Sequence, residues 1–244
     1  LFLAPELLVQ RITLAAAGLS LLLCAARGAT LDVAAYGSGV GLTLLMIAAG
    51  VAYRVSGRDE RIGTTLICAG HFILFTMMLS LFNYLLMPHW APTLDATLAR
   101  LDEALFGYRW PDFVAFGAAH PAFNEMMRVA YLSTLPQIAL LVAMLGLSGR
   151  HDHMHALMTT VAISGTAAVV FWGLFPSLGP SVLHDLPAEV LAAAAPVVGP
   201  DYGREIAALY REGAAWLSPD DIRGLIAFPS FHMVMALAAT WYAR

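Results

Sequence analysis

The chain lacks lysine altogether: all 13 of its basic side chains are arginine. It has little charge of either sign. Charged residues make up 12% of its 244 residues and hydrophobic ones 59%, whereas a soluble domain is about 25% charged. With a mean hydropathy of +0.72, this excludes an ordinary soluble domain and points to a polytopic membrane protein. A net charge of -4 leaves no basic excess for nucleic acid. Cysteine is almost absent. Cys24 and Cys68 both fall in apolar segments and read as inert buried thiols, not as a disulfide framework. An alanine-rich chain without lysine fits a GC-rich bacterial genome.

What is present is long apolar runs. A membrane-crossing helix needs about 20 apolar residues. Segments 12–26, 33–53, 62–87, 126–147 and 154–175 are candidates, the first short unless the residues before it contribute, and a sixth begins at Phe231. The fold expected is all-α, a polytopic transmembrane bundle of six or more helices. Short links carry Arg54, Arg58, Arg61 and Arg150, whereas the two long links are acidic on balance. Arginine-rich short loops stay in the cytoplasm. The N-terminus is then cytoplasmic, and the long links face the periplasm of a bacterial inner membrane.

The stretch 92–107 is too polar to span. Leu94, Leu98, Leu101 and Leu105 recur at helical spacing, with Asp95, Arg100, Asp102 and Glu103 on other faces. It reads as an amphipathic helix in the membrane interface, closed by Gly107 and anchored by Tyr108 and Trp110. A second short helix is expected over 111–120.

The chemistry concentrates at Pro229-Ser230-Phe231-His232, where a polar loop turns into an apolar helix. Proline suits the first turn of a helix, because its missing N–H had no partner there. The free N–H groups of that turn favour an anion. The Ser230 hydroxyl can donate to a phosphoryl oxygen, and His232 can give a proton to a leaving oxygen. At the mouth of a membrane helix, the matching substrate is a phosphate carried on a lipid.

With Gly224 and Phe228 before it, this run resembles the second signature of the type-2 phosphatidic acid phosphatase (PAP2) superfamily. It is most similar to the branch of inositol phosphorylceramide synthases and their bacterial relatives. Leu101 to Gly107, ending Leu-Phe-Gly, resembles that branch's interfacial helix. Phe175-Pro176-Ser177-Leu178-Gly179-Pro180 resembles its turn after a membrane helix. The resemblance implies phosphoryl or phospho-headgroup transfer through a phosphohistidine. His232 would be the general acid, and Ser230 with the backbone at Pro229 would bind phosphate. The nucleophilic His and its orienting Asp belong to a third signature, expected after Arg244. The domain is then single, 1–244, with N-terminal helices over 1–90 and a C-terminally incomplete catalytic region over 91–244.

The superfamily's first signature, Lys, six residues, Arg, Pro, has no counterpart with lysine. Arg204 and Arg211 stand with six residues between them on one helical face, and Arg223 follows. Arginine clamps phosphate in bidentate fashion, so these three are candidate phosphate ligands. Gly179, Pro180 and His184 are placed near the headgroup, under a roof formed by 177–228. No metal or other cofactor is called for; the partners are membrane lipids, a lipid phosphate as donor and water or a lipid alcohol as acceptor. A non-catalytic lipid-phosphate binding or transport protein is the alternative. Ser230 and His232 are too close on one chain for an intramembrane protease's crossed-helix pair.

Other polar residues read as structural. His151 and His155 share a helical face and invite a metal, but a polar loop capping the fifth segment explains them. His71 and Asn83 read as interhelical hydrogen-bonders. Arg128 snorkels to the interface, within reach of Glu125.

Overall fold

The structure, a computed structural model, describes residues 2–244. Helix α1 (Ala4–Arg27) opens with Pro5 in its first turn and ends at Gly28. A two-residue strand β1 (Thr30–Leu31) follows. Asp32 caps α2 (Val33–Ser56) by accepting from the Ala35 N–H at 3.0 Å. Asp59 caps α3 (Glu60–Leu85) in the same way, through the N–H groups of Arg61 and Ile62. Each cap satisfies amides that the first helical turn leaves free. Helices α2 and α3 pack along their length, and glycine sets how closely. A Cβ at Gly50 would come within 2.7 Å of the Gly63 carbonyl oxygen, and one at Gly70 within 3.0 Å of that of Thr43. Small residues let membrane helices approach backbone to backbone.

The remaining helices are α4 (Asp95–Phe106), α5 (Trp110–Ala119), α6 (Pro121–Leu132), α7 (Thr134–Leu147), α8 (His151–Leu174), α9 (Ala188–Ala194), α10 (Pro200–Glu212) and α11 (Phe231–Tyr242). A strand β2 (Trp216–Leu217) pairs in parallel with β1, tying the long 177–228 link to the first helical hairpin.

Four helices, α1, α2, α3 and α8, are long and apolar enough to cross a membrane, and α6 with α7 makes a fifth if the pair is one span. The expected segment 126–147 is therefore not one straight helix. It bends by 46° between Leu132 and Thr134. Pro136 lies one turn on; it has no N–H to bond the Leu132 carbonyl, and its ring crowds that carbonyl. Helix α11 has 12 residues and stands outside these spans.

Two apolar clusters organise the molecule. One joins α1, α3, α7, α8 and α11 through residues such as Phe75, Leu145, Leu157 and Met235. The other joins α3 and α8 to the long link, with Trp172, Tyr84, Ile206, Tyr210 and Leu217 at its centre. His89 stacks on Tyr210 with ring centroids 5.5 Å apart, and its Nε2 lies 2.8 Å from the Gly173 carbonyl oxygen.

Where α1, α3 and α8 begin and α2 ends, a polar knot is buried. Glu6 is fully buried and accepts from Arg54 at 2.8 and 2.9 Å and from the Leu3 N–H at 2.8 Å. His155 Nε2 lies 3.1 Å from the same carboxylate, and Arg54 also donates to Thr64 at 3.2 Å. Glu6, Cys68 and His155 bring ligand atoms within 4.8 Å of one another, but the Arg54 guanidinium already supplies the positive charge there. His155 thus turns to Glu6. His71 departs from the expected interhelical role as well: its Nδ1 bonds the Ile67 carbonyl of its own helix at 2.8 Å. That bond needs no neighbouring helix.

Candidate active site

The three stretches singled out in the sequence form one hydrogen-bonded joint. Asp95, in the first turn of α4, is buried. Its carboxylate accepts from the Leu178 N–H at 2.9 and 3.0 Å and from the Gly179 N–H at 2.8 Å. Gly179 has φ 101°, a backbone region that glycine enters without a Cβ clash. The next link is Ser177, whose Oγ accepts from the Phe228 N–H at 2.8 Å and donates to the Phe228 carbonyl at 3.2 Å. Trp172 Nε1 donates to the Ser177 carbonyl at 2.8 Å. Helix α4, the 175–180 turn and the loop before His232 therefore hold one another by buried and partly buried hydrogen bonds.

His232 sits in the first turn of α11, half-buried, and lines a cavity of about 130 Å³ with Ser80, Asn83, Tyr84, Gly165 and Arg223. Gly165 makes room for the motif's aromatic residue, since a Cβ there would lie 3.1 Å from Phe231 Cε2. The imidazole stacks on Tyr131, centroids 4.2 Å apart and planes 13° apart. It makes no hydrogen bond among the described residues, and burial lowers its pKa. Ser230 caps α11 by accepting from the Met233 N–H at 3.4 Å.

Arg223 is held from two sides. Its backbone N–H donates to the Tyr84 hydroxyl at 2.7 Å, and its guanidinium lies 3.2 Å from Glu205. The Tyr202 phenol, beside Tyr84 and Tyr131, is pushed up to about 12, mainly by burial. The described residues lining the cavity include Asn83, Ser80, Tyr84, His232 and Arg223, whose guanidinium pairs with Glu205, and none of them is a carboxylate. That set suits an anion.

The other sequence candidates lie elsewhere. Arg204 pairs with Asp201 on the exposed face of α10, and Arg211 is exposed one helix end away. Neither lines the His232 cavity. Gly179, Pro180 and His184 line a separate groove of about 500 Å³ beside α4, where His184 stacks on Trp110 at 6.2 Å. Phe228 borders that groove while Phe231 borders the cavity, so the Pro229–Ser230 segment runs between the two. Asp95, Ser177, Tyr84 and Tyr131 were not legible as site residues. An acidic residue opening a helix and a serine in a turn are ordinary local signals. Glu125 does pair with Arg128, at 2.8 Å.

Comparison with curated proteins found no match, and none was found among solved structures. A family model described as PAP2 superfamily matches residues 96–244. The matched stretch runs from Ala96 in α4 through α11 and contains Ser177, Gly179, Arg223, Phe228 and His232, with Asp95 one residue before it. The chain belongs to the PAP2 superfamily, and that membership points to phosphatase or phosphotransferase chemistry.

Proposed function

We propose that this protein is a membrane lipid phosphatase or phosphotransferase that works at His232. The carrying observation is that His232 and Arg223, 9 positions apart in sequence, line one small cavity without a carboxylate, inside the family-matched region. In the reaction, a histidine nitrogen forms a bond to phosphorus as the bond from phosphorus to the lipid oxygen breaks. No residue of this chain is assigned that attacking role. His232 gives its proton to the departing oxygen. Arg223 and the amides at the start of α11 stabilise the charge on the phosphoryl oxygens. Water or a lipid hydroxyl then takes the phosphoryl group from the histidine.

Partial burial lowers the pKa of this imidazole and so disfavours its charged form. A phosphate anion bound beside it favours its protonated form, so substrate arms the acid. Helix α4 leaves Leu101, Leu105 and Phe106 exposed; we read it as lying in the membrane interface, where a lipid can enter beside it. The cavity lies at the end of the bundle opposite Arg54, Arg58, Arg61 and Arg150, which supports a periplasmic site. Similarity of the three motifs to the inositol phosphorylceramide synthase branch favours a lipid alcohol as acceptor.

The test is phosphate release from phosphatidic acid in mixed micelles by the full-length protein, with and without ceramide. Release that needs no lipid alcohol identifies a phosphatase; transfer only with ceramide identifies a transferase. An unchanged rate in His232→Ala would refute the mechanism and leave a lipid-phosphate binding protein.

A further inference from the structure

We propose that Asn83, on α3 and outside the family-matched residues, binds the phosphoryl oxygens of the substrate from the wall of the His232 cavity. This rests on the reading of that cavity as the phosphate site. Asn83 is only 6% exposed, and its Oδ1 is buried without a hydrogen-bond partner. No side-chain hydrogen bond of Asn83 is formed among the described residues. Leaving such a group unpaired costs about 1–3 kcal/mol, and native structures rarely tolerate it without a reason.

Neighbours on the same helix show the ordinary solution. His71 Nδ1 bonds the Ile67 carbonyl at 2.8 Å, and Thr76 Oγ1 bonds that of Ile73 at 2.9 Å. Both are satisfied within α3. Asn83 lines the cavity that holds His232 and Arg223, as Thr76 does, but forms no such bond within α3. Polar side chains within membrane helices face the bundle interior and often mark substrate sites.

The cavity's chemistry names the ligand class. Arg223 supplies positive charge, and no carboxylate is among the described lining residues, although Glu205 pairs with Arg223 from outside. A carboxamide donates through Nδ2 and accepts through Oδ1. A phosphate monoanion does both as well, accepting at its bare oxygens and donating from its P–OH. The cavity measures about 130 Å³. It has room for a terminal phosphate. The ligand is therefore a phosphomonoester end, on a lipid or as free phosphate.

The experiment measures thermal unfolding of the full-length protein in detergent micelles against rising inorganic phosphate. Parallel titrations use phosphatidic acid, with phosphatidylcholine as control. A ligand that binds the folded state raises the midpoint. For wild type we expect saturable stabilisation. In Asn83→Leu and Asn83→Asp the half-saturating concentration should rise about tenfold or more, equivalent to ~1.4 kcal/mol of lost binding. Asn83→Asp nearly preserves size and places a carboxylate against the anion, so it carries the test if the leucine variant does not fold. Stabilisation by inorganic phosphate identifies the headgroup as sufficient; stabilisation by phosphatidic acid alone assigns the site to the lipid. Three results overturn the inference: wild-type saturation in either variant, a wild type unmoved by both phosphates, or failure of both variants to fold. The catalytic reading fails separately, through an unchanged rate in His232→Ala, and would leave Asn83 standing as a phosphate-binding residue.

Discussion

The two ends of the helical bundle both set a histidine among polar groups, and they treat it differently. At the arginine-rich end, His155 lies against Glu6, whose carboxylate is matched by Arg54 and the Leu3 amide. At the other end, His232 makes no hydrogen bond among the described residues and Asn83 Oδ1 has no partner. A buried network that is fully satisfied rigidifies. One with open valences keeps them for a ligand. Residue type is similar at both ends; the Glu6 knot is satisfied, whereas the His232 cavity carries an unpaired amide oxygen, and His151 Nε2 near the arginine-rich end is likewise buried without a partner.

The contrast can be broken by substitution. His232→Ala should lower kcat by about 10²–10⁴-fold, the usual worth of a general acid, with the melting midpoint little moved. A loss of stability of the same order as the loss of rate would erase the distinction. Glu6→Leu should do the reverse. Removing one partner of a buried ion pair costs about 3–5 kcal/mol, read as a lower midpoint in denaturation, with phosphate release per folded molecule retained. Activity lost ahead of folding would assign the knot a functional part.

Asp95→Ala probes the joint between the ends' extremes. It leaves the Leu178 and Gly179 amides buried without their acceptor, at about 1–3 kcal/mol for each unsatisfied group. Both stability and rate should fall, because the same turn holds Phe228 through Ser177. A rate unaffected by this change would uncouple the turn from the site.

The pH profile sharpens the comparison. As general acid, His232 must be protonated, and burial places its pKa below the ordinary histidine value. The basic limb of kcat/KM should then fall below pH about 6.5, the unperturbed value, as the proton is lost. The limb in kcat should lie higher, because bound phosphate favours the imidazolium. Identical limbs would remove substrate from the ionisation. The smallest effect is expected from Tyr84→Phe, which takes the acceptor from the Arg223 N–H and should cost about 1 kcal/mol, measurable by denaturant titration.

Much of the fold was legible because its signals are local. Apolar runs located α1, α2, α3 and α8, and a leucine spacing located α4 between Asp95 and Phe106. The break at Pro136 was missed because hydropathy passes smoothly through it. Of the proposed phosphate ligands, Arg223 lines the cavity, whereas Arg204 and Arg211 do not. Helical spacing put the latter two on one face; it carries no information on which neighbour that face meets. Asn83 looked like an interhelical bonder, and only packing shows that no neighbouring helix answers it.

By itself the sequence determined a largely helical membrane chain and the place of the motif that puts His232 on the first turn of α11. These follow from hydropathy and the switch from polar loop to apolar run, which act over a few residues; Pro229, expected in the first helical turn, instead lies just before the cap Ser230. Tertiary structure alone decided that Asn83 and His232, 149 positions apart, share a cavity. It also decided that Asp95 is buried against Leu178 and that Glu6 meets Arg54 and His155. Those outcomes depend on how helices pack, since a side chain's hydrogen-bond partners are set by the faces brought together and not by its own neighbours in sequence.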